Sequence, residues 1–272
     1  GKTEAGLREE GYFLMDIGAG PFDHHASPVQ TTATDLIAQA LNLTDDPAFA
    51  KLFEYARRDD FYGKGIISTD ALDRAFGLSG LVVNLNRFFV DNPARVVELT
   101  LPLFGAHYAE ERRRTKELPE EFARRMASGE AEQMTAHQRG KSLKIVIVTS
   151  DNSSLAGYLR SQNGGRFDVV VQRLSSGHVN ILTRPTKRID LRALAKEIRV
   201  TELEAQGKTI GSLTVRDLTT RGRLKEVPDW YYDPATNSIQ NGGLNPVGIK
   251  PTRIAPEKFG EVLRVGLEES NM

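Results

Sequence analysis

The sequence predicts an α/β protein made of two units that a helical connector joins. Short apolar runs indicate strands in both halves of the chain, and amphipathic stretches between these runs indicate helices. A stretch dense in charges of both signs, AEERRRTKELPEEFARR, separates the two halves. We therefore expect a first domain at 1–105, a connector at 106–143 and a second α/β domain at 144–272.

The first domain is predicted to begin with a buried strand, YFLMDI at 12–17, which a glycine-rich turn ends. Thr32 or Thr34 is placed to cap a helix after this turn. Apolar residues at helical spacing predict a second helix over 49–58 and a further one over 71–89. These elements make the first domain a layer of helices against a short sheet.

Residues 94–139 are predicted to be mostly helical, and the composition changes at Lys144, where a β-branched run begins. The second domain then alternates between strands and helices. We predict strands at 144–150, 167–174, 178–183, 230–232 and 237–240, and helices at 151–159, 190–203 and 256–267.

Composition limits the kinds of function that the chain can have. Its 272 residues are 39% hydrophobic and 26% charged, which suits a packed domain, and the formal net charge of zero argues against coating nucleic acid by bulk charge. Cysteine is absent, so any metal must be held by imidazole or oxygen ligands, as Mn²⁺, Mg²⁺, Fe²⁺ and some Zn²⁺ sites are. No apolar run reaches the ~18 residues of a membrane span, and the expectation is a cytoplasmic protein without a membrane partner.

Carboxylates and imidazoles are concentrated near the predicted first strand. Asp16 lies at its carboxyl end, where ligands bind in open α/β sheets, and Asp23, His24 and His25 follow within nine residues. Asp59 and Asp60 come at the end of the second predicted helix, where a cation would offset the unfavourable helix dipole. Hard oxygen ligands with imidazole and no sulfur suit one or two divalent cations, which can activate water for attack on a phosphoryl group.

The segment MDIGAGPFDHH at 15–25 resembles the second and third motifs of the DHH phosphoesterase superfamily, and in particular the branch that contains the melanocyte proliferating gene exonuclease. The resemblance implies a parallel-sheet first domain and a site for Mn²⁺, or Mg²⁺, as one or two ions. It implies metal ligands at Asp16, Asp23, His24 and Asp60, with Asp59 as the alternative to Asp60. His24, His25 and Asp60 would then be catalytic, and His25 would also contact the substrate phosphate.

The chain departs from the family pattern before Asp16. The family's first motif supplies a histidine and an aspartate, and the 15 residues that precede Asp16 hold neither. We expect either that the chain is truncated at its N-terminus or that this half of the site has been lost.

The second half resembles, more weakly, the smaller α/β domain that accompanies DHH domains and binds the substrate. Its glycine-rich turn corresponds here to LSSGHVNI, which implies phosphate contacts from Ser176, Gly177 and His178, with serine in place of the first glycine. A plain hairpin turn with an incidental histidine is the alternative. Arg253, in a basic segment, is a further candidate for pairing with phosphate.

These observations together predict a metal-dependent phosphoesterase that hydrolyses phosphodiester or phosphoanhydride bonds. Zero net charge favours small nucleotides or short single-stranded oligonucleotides over long polymers, since each phosphate must be held by local groups. The chain is a possible homodimer. Two alternatives stay open: a non-catalytic metal- or nucleotide-binding module that has lost the first motif, and a metal-dependent hydrolase of something other than a phosphate ester.

Overall fold

The computed structural model describes residues 3–25, 27–63, 68–243 and 246–268. They fall into two compact units, an N-terminal unit of residues 1–116 and a C-terminal unit of residues 117–272. The division lies inside the predicted connector. None of the helices in the described ranges combines the length and the apolar character needed to cross a bilayer.

The N-terminal unit is helical over the residues that the structure describes. Its helices are α1 (Glu4–Glu9), α2 (Ala33–Ala40), α3 (Ala50–Tyr62), α4 (Ala71–Phe76), α5 (Leu78–Phe88) and α6 (Pro93–Arg112). The predicted cap of α2 is Thr32, whose hydroxyl accepts from the Asp35 N–H while the Asp35 carboxylate accepts from the Thr32 N–H, a complete capping box. The predicted helix at 71–89 is broken at Gly77, whose extended backbone separates α4 from α5.

The strand predicted at 12–17 is wrong. The described part of the N-terminal unit contains no strand with which 12–17 could pair, the Tyr12 and Asp16 N–H groups donate to the Leu7 and Phe22 carbonyls, and Phe13 is 81% exposed. Asp16 takes a left-handed conformation with φ of 61°, which no strand residue adopts. The parallel sheet that the family resemblance implies for this domain is therefore not confirmed.

The connector is helical only in its first part. Helix α6 continues into a π-helical turn (Arg113–Glu117) and then into α7 (Leu118–Ala127), but 131–138 forms a strand where we predicted helix. The reason is that AEQMTAHQ has few apolar residues and does not alternate between apolar and polar side chains in the sequence. In the sheet, Ala136 belongs to one buried cluster and Ala131, five residues away, to the cluster on the other face.

The C-terminal unit is built on a six-stranded, mostly antiparallel sheet. Its strands are β1 (Ala131–Gln138), β2 (Lys141–Thr149), β3 (Val169–Arg173), β4 (Val179–Thr183), β5 (Tyr231–Asp233) and β6 (Ser238–Gln240). They lie in the order β1-β2-β3-β4-β6-β5, and β2–β3 is the parallel pair. The helices of this unit, besides α7, are α8 (Leu155–Arg160), α9 (Arg192–Ala205), α10 (Val215–Leu218) and α11 (Phe259–Glu268).

Helices cover both faces of this sheet. In β2, Ile145 and Ile147 belong to one buried cluster with residues of α9 and α11, whereas Val146 and Val148 belong to a second cluster with residues of α7 and α8. A strand that is buried on both faces reads as a continuous apolar run, which is why KIVIVTS was predictable as a strand.

Candidate metal centre

The loop from Asp16 to His25 is held in shape by its own hydrogen bonds. The Asp16 N–H donates to the Phe22 carbonyl at 3.0 Å, and the Ala19 N–H donates to Asp23 Oδ2 at 2.8 Å. A guanidinium nitrogen of Arg8 in α1 donates to the Gly18 carbonyl. Asp16 and Ala19 both have positive φ, an unusual choice for residues with a side chain, so the loop adopts a tight and specific path.

This path brings His24 between two carboxylates. His24 Nδ1 lies 2.7 Å from Asp16 Oδ1, and His24 Nε2 lies 3.1 Å from Asp60 Oδ2. His25 Nδ1 is 3.7 Å from the same Asp16 oxygen. One ligand atom each from Asp16, His24 and His25 lies within 4.8 Å of the others, and Asp60 adjoins this cluster through His24.

The contact between His24 and Asp16 has the length of a hydrogen bond but not its direction. His24 Nδ1 is buried and makes no hydrogen bond with any group that the structure describes, although Asp16 Oδ1 lies 2.7 Å away. Two atoms that each lie about 2.0–2.2 Å from one ion are roughly 3 Å apart when they subtend a right angle. A neutral imidazole also has one N–H, so His24 can donate to only one of its two carboxylate neighbours. The pair therefore fits a shared cation better than it fits a hydrogen bond.

Asp23 is engaged within the loop. Its Oδ1 accepts from the His25 N–H at 3.0 Å and contacts His25 Nδ1 at 2.7 Å, while Oδ2 accepts from Ala19. The backbone hydrogen bond from His25, and then the His25 side chain and the Ala19 N–H, lower the pKa of Asp23 to about 2. Its predicted role as a metal ligand stays a prediction, and its observed contacts hold the loop and orient His25.

His25 is the exposed imidazole of the pair. Its ring stacks on that of His24 with centroids 4.5 Å apart, and 65% of its side chain is exposed. The hydrogen bond to Asp23 raises the pKa of His25 despite some desolvation, and the nearby charges of Asp16 and Asp60 act in the same direction. His25 thus holds a proton to higher pH than an ordinary histidine does.

Asp60, and not Asp59, faces the cluster. Both lie in the last turn of α3, which runs on to Tyr62 beyond its predicted end. Successive helix residues point about 100° apart. Asp59 Oδ2 accepts from the Ser79 hydroxyl at 3.0 Å, whereas Asp60 Oδ2 contacts His24. The sequence left this choice open, and the geometry separates the two.

The turn predicted to bind phosphate in the C-terminal unit is internally bonded. Ser176 Oγ lies 2.9 Å from His178 Nδ1, and His178 Nε2 lies 3.1 Å from the Ile249 carbonyl. His178 is buried, and Gly177 takes a positive φ in the turn between β3 and β4. These contacts match the hairpin-turn alternative, and a phosphate role for Ser176, Gly177 and His178 stays a prediction.

Arg253 is exposed, and its backbone N–H donates to the buried carboxylate of Glu202 at 3.1 Å. The same carboxylate accepts from the indole N–H of Trp230 at 3.0 Å and from the Thr252 hydroxyl. This network fixes the backbone that carries Arg253, and phosphate binding by its side chain stays a prediction.

Sequence reasoning missed Arg8, because nothing in the motif indicates that an arginine ten residues upstream supports the Gly18 carbonyl. It also missed a cleft that α3 and α6 line beside Asp60. The apolar spacing of both helices is visible in the sequence, but the same spacing predicts packing in a core as well as it predicts the wall of a cleft.

Comparisons of the chain with protein-family models, with curated proteins and with solved structures found no match.

Proposed function

We propose that this chain is a metal-dependent phosphoesterase whose cation is held by Asp16 and by Nδ1 of His24, with Asp60 orienting the His24 ring through Nε2 and His25 beside the cation. The observation that carries the proposal is the position of His24, with the Asp16 carboxylate oxygen at 2.7 Å from Nδ1 and the Asp60 carboxylate oxygen at 3.1 Å from Nε2. An imidazole and a carboxylate suit Mn²⁺ better than Mg²⁺, which prefers oxygen ligands and keeps its waters.

A divalent cation at such a site supplies positive charge to a phosphoryl oxygen and lowers the pKa of a bound water. The chain's own residues supply the rest. Asp16 and Asp60 keep the site anionic and so select a cation, and His25 extends from the cluster into solvent. Because Asp23 holds His25 Nδ1, His25 would meet a substrate phosphate through Nε2, as a charged donor.

The substrates proposed are small nucleotides or short oligonucleotides with a phosphodiester or phosphoanhydride bond. The motif resemblance supports this class, and the formal net charge of zero supports short substrates over long ones. The phosphate contacts that the sequence suggests for Ser176 and Arg253 are a separate prediction, which concerns the C-terminal unit by itself.

The test pairs metal binding with turnover. Mn²⁺ binding is measured by electron paramagnetic resonance, and hydrolysis of a short RNA is measured with Mn²⁺ present, for the wild type and for Asp16→Asn, His24→Gln and Asp60→Asn. The matched control is Asp59→Asn, which alters the neighbouring carboxylate in the same helical turn. We expect the three cluster variants to lose Mn²⁺ binding and turnover and the control to keep both. Equal Mn²⁺ binding by Asp60→Asn and Asp59→Asn would refute the site.

A non-catalytic metal-binding module is the second candidate. The small number of ligands favours this candidate. The described residues provide one cluster of three groups with Asp60 adjoining, which suits one ion, whereas phosphoesterases of the two-metal type hold two ions. Mn²⁺ binding that depends on His24, together with no hydrolysis of dinucleotides or pyrophosphate, would select this candidate over the enzyme.

A further inference from the structure

The cleft between α3 and α6 lies within the N-terminal unit and has a volume of about 980 Å³. Leu52, Ala56 and Asp60 line it from α3, and Leu101 and Tyr108 line it from α6. The three residues of α3 are four positions apart, and the two residues of α6 are seven positions apart. Each helix therefore presents one continuous face to the cleft. A volume of this size is at the upper end of the range for small-molecule sites.

The two helices meet where α3 begins and α6 ends. Near the start of α3, the rings of Phe49 and Tyr108 stack with centroids 4.5 Å apart, and Lys51 pairs with Glu111 at 2.8 Å. Asp60 lies about 16 Å further along α3, at 1.5 Å of rise per residue. The cleft therefore extends from an aromatic end to the carboxylate that contacts His24.

The cleft and the metal cluster share Asp60. Its Oδ2 is 3.1 Å from His24 Nε2, and the residue also forms part of the cleft wall. A molecule whose phosphate lay at the cluster would thus have the adjoining part of its structure at the mouth of the cleft.

The lining decides what that adjoining part is. The walls are mainly aliphatic and aromatic, and the carboxylates lining the cleft are Asp59 and Asp60, towards the metal end. Carboxylates repel a second phosphate, and apolar walls leave the polar edge of a nucleobase or a sugar hydroxyl without partners, which costs free energy. An aryl or alkyl group loses nothing on entering and gains from burial.

We propose that the cleft binds the apolar alcohol part, aryl or alkyl, of a phosphate ester whose phosphate is held at the metal cluster. The inference rests on the metal-dependent phosphoesterase of the proposed function, but it replaces the nucleotide substrates proposed there: the substrate class is a phosphate ester that carries an apolar group next to the phosphorus. Leu101, Phe104 and Tyr108 are the residues that select it.

The test compares binding of phenyl phosphate, methyl phosphate and uridine 5′-monophosphate to the Mn²⁺-loaded full chain by titration calorimetry. We expect phenyl phosphate to bind at least tenfold more tightly than methyl phosphate. Leu101→Asp abolishes this preference, while Leu103→Asp keeps it, since Leu103 is on the same helix and is 55% exposed against 64% for Leu101 but does not line the cleft.

A second variant guards against loss of folding. A Cβ added at Gly105, on the cleft wall of α6, meets no atom within 4 Å that the structure describes, and the same holds for Gly157 in α8. Gly105→Leu adds an apolar side chain on the cleft wall, where its Cβ has room, and favours the helix. It is expected to weaken phenyl phosphate at least tenfold and to leave methyl phosphate unchanged, whereas Gly157→Leu changes neither.

Other outcomes separate the two proposals. Absence of Mn²⁺ binding defeats the proposed function, and the refinement with it. Mn²⁺ binding with equal affinity for phenyl and methyl phosphate overturns the cleft assignment alone. Tighter binding of uridine 5′-monophosphate than of phenyl phosphate overturns it in favour of a nucleoside. A dimer in sedimentation velocity that Leu101→Asp dissolves and Leu103→Asp does not overturns it in favour of a second copy of the chain.

Discussion

The crossing of α9 and α11 leaves no room for a side chain at Gly266. A Cβ added there would lie 2.6 Å from the Cα of Leu194 and 2.8 Å from its Cδ1, and Leu194 is itself fully buried. We predict that Gly266→Ala destabilises the C-terminal unit, because the nearest atom belongs to the backbone of α9 and cannot rotate away.

A control in the same helix allows the magnitude to be worked out. Both Gly266→Ala and Gly260→Ala gain up to about 1 kcal/mol from helix propensity. A Cβ at Gly260 meets nothing within 4 Å among the described residues, whereas overpacking of a tight core costs about 1–3 kcal/mol. The free energy of unfolding should therefore differ by about 2–3 kcal/mol between the two variants, since backbone contact places Gly266→Ala in the upper part of that range. A difference of this size corresponds to about 4–12 °C in melting temperature for a unit of this size.

The assay is urea denaturation followed by tryptophan fluorescence. Trp230 is the chain's single tryptophan and is fully buried in the C-terminal unit, so its emission reports the unfolding of that unit. Coincident urea midpoints for the two variants would show that the two helices separate at no cost, and the packing argument would fail.

The remaining predictions concern hydrogen bonds and titration. Trp230→Phe removes the N–H that donates to the buried Glu202 carboxylate and should lower the free energy of unfolding by about 1.5–3 kcal/mol in urea melts followed by circular dichroism; a loss below 0.5 kcal/mol would contradict this role. Mn²⁺ affinity should fall with decreasing pH from above 6.5, the ordinary pKa of histidine, because Asp23 raises the pKa of His25, and the charge that His25 gains on protonation lies beside the proposed cation and repels it. In Asp23→Asn the midpoint of this fall should move to lower pH, and an unmoved midpoint would exclude His25 as the titrating group. The salt bridge from Arg192 lowers the pKa of Asp190, and this effect outweighs the opposing effect of burial. The ionised Asp190 therefore stabilises the fold above pH 3.8, and this stabilisation is lost as the pH falls further. Urea midpoints between pH 5 and pH 2.5 should therefore drop less for Asp190→Asn than for the wild type, and equal drops would argue against it.

The sequence predicts the C-terminal unit far better than the N-terminal one. Apolar, β-branched runs such as 144–150 are buried on both faces, and burial of this kind is encoded locally. The run at 12–17 is also mostly apolar but has no neighbouring strand among the described residues, and pairing with a neighbour is not a property of the run itself. The strand at 131–138 was missed for the opposite reason, since its place in the sheet comes from its pairing with β2 and not from its own apolar content.

Part of the candidate site was predictable. The motif joined Asp16 to His24 and His25, and the structure brings these residues together. The choice of Asp60 over Asp59 depends on the rotation of α3 relative to the loop, which spacing along the chain does not give. The cleft beside Asp60 could not be predicted from the sequence either. A helix face that lines a cleft and a helix face that packs in a core have the same amphipathic sequence pattern.

The internal bonds of the 16–25 loop have a kinetic consequence. The carbonyl of Gly18, both oxygens of Asp23 and the N–H of Asp16 are all engaged by groups of the protein itself. These bonds order the loop when the chain folds, so its conformational entropy is lost at that step and the proposed cation need not order it. Capture of the ion should then need no rearrangement of the backbone, and its association rate should be set by diffusion and by the release of water from the incoming ion.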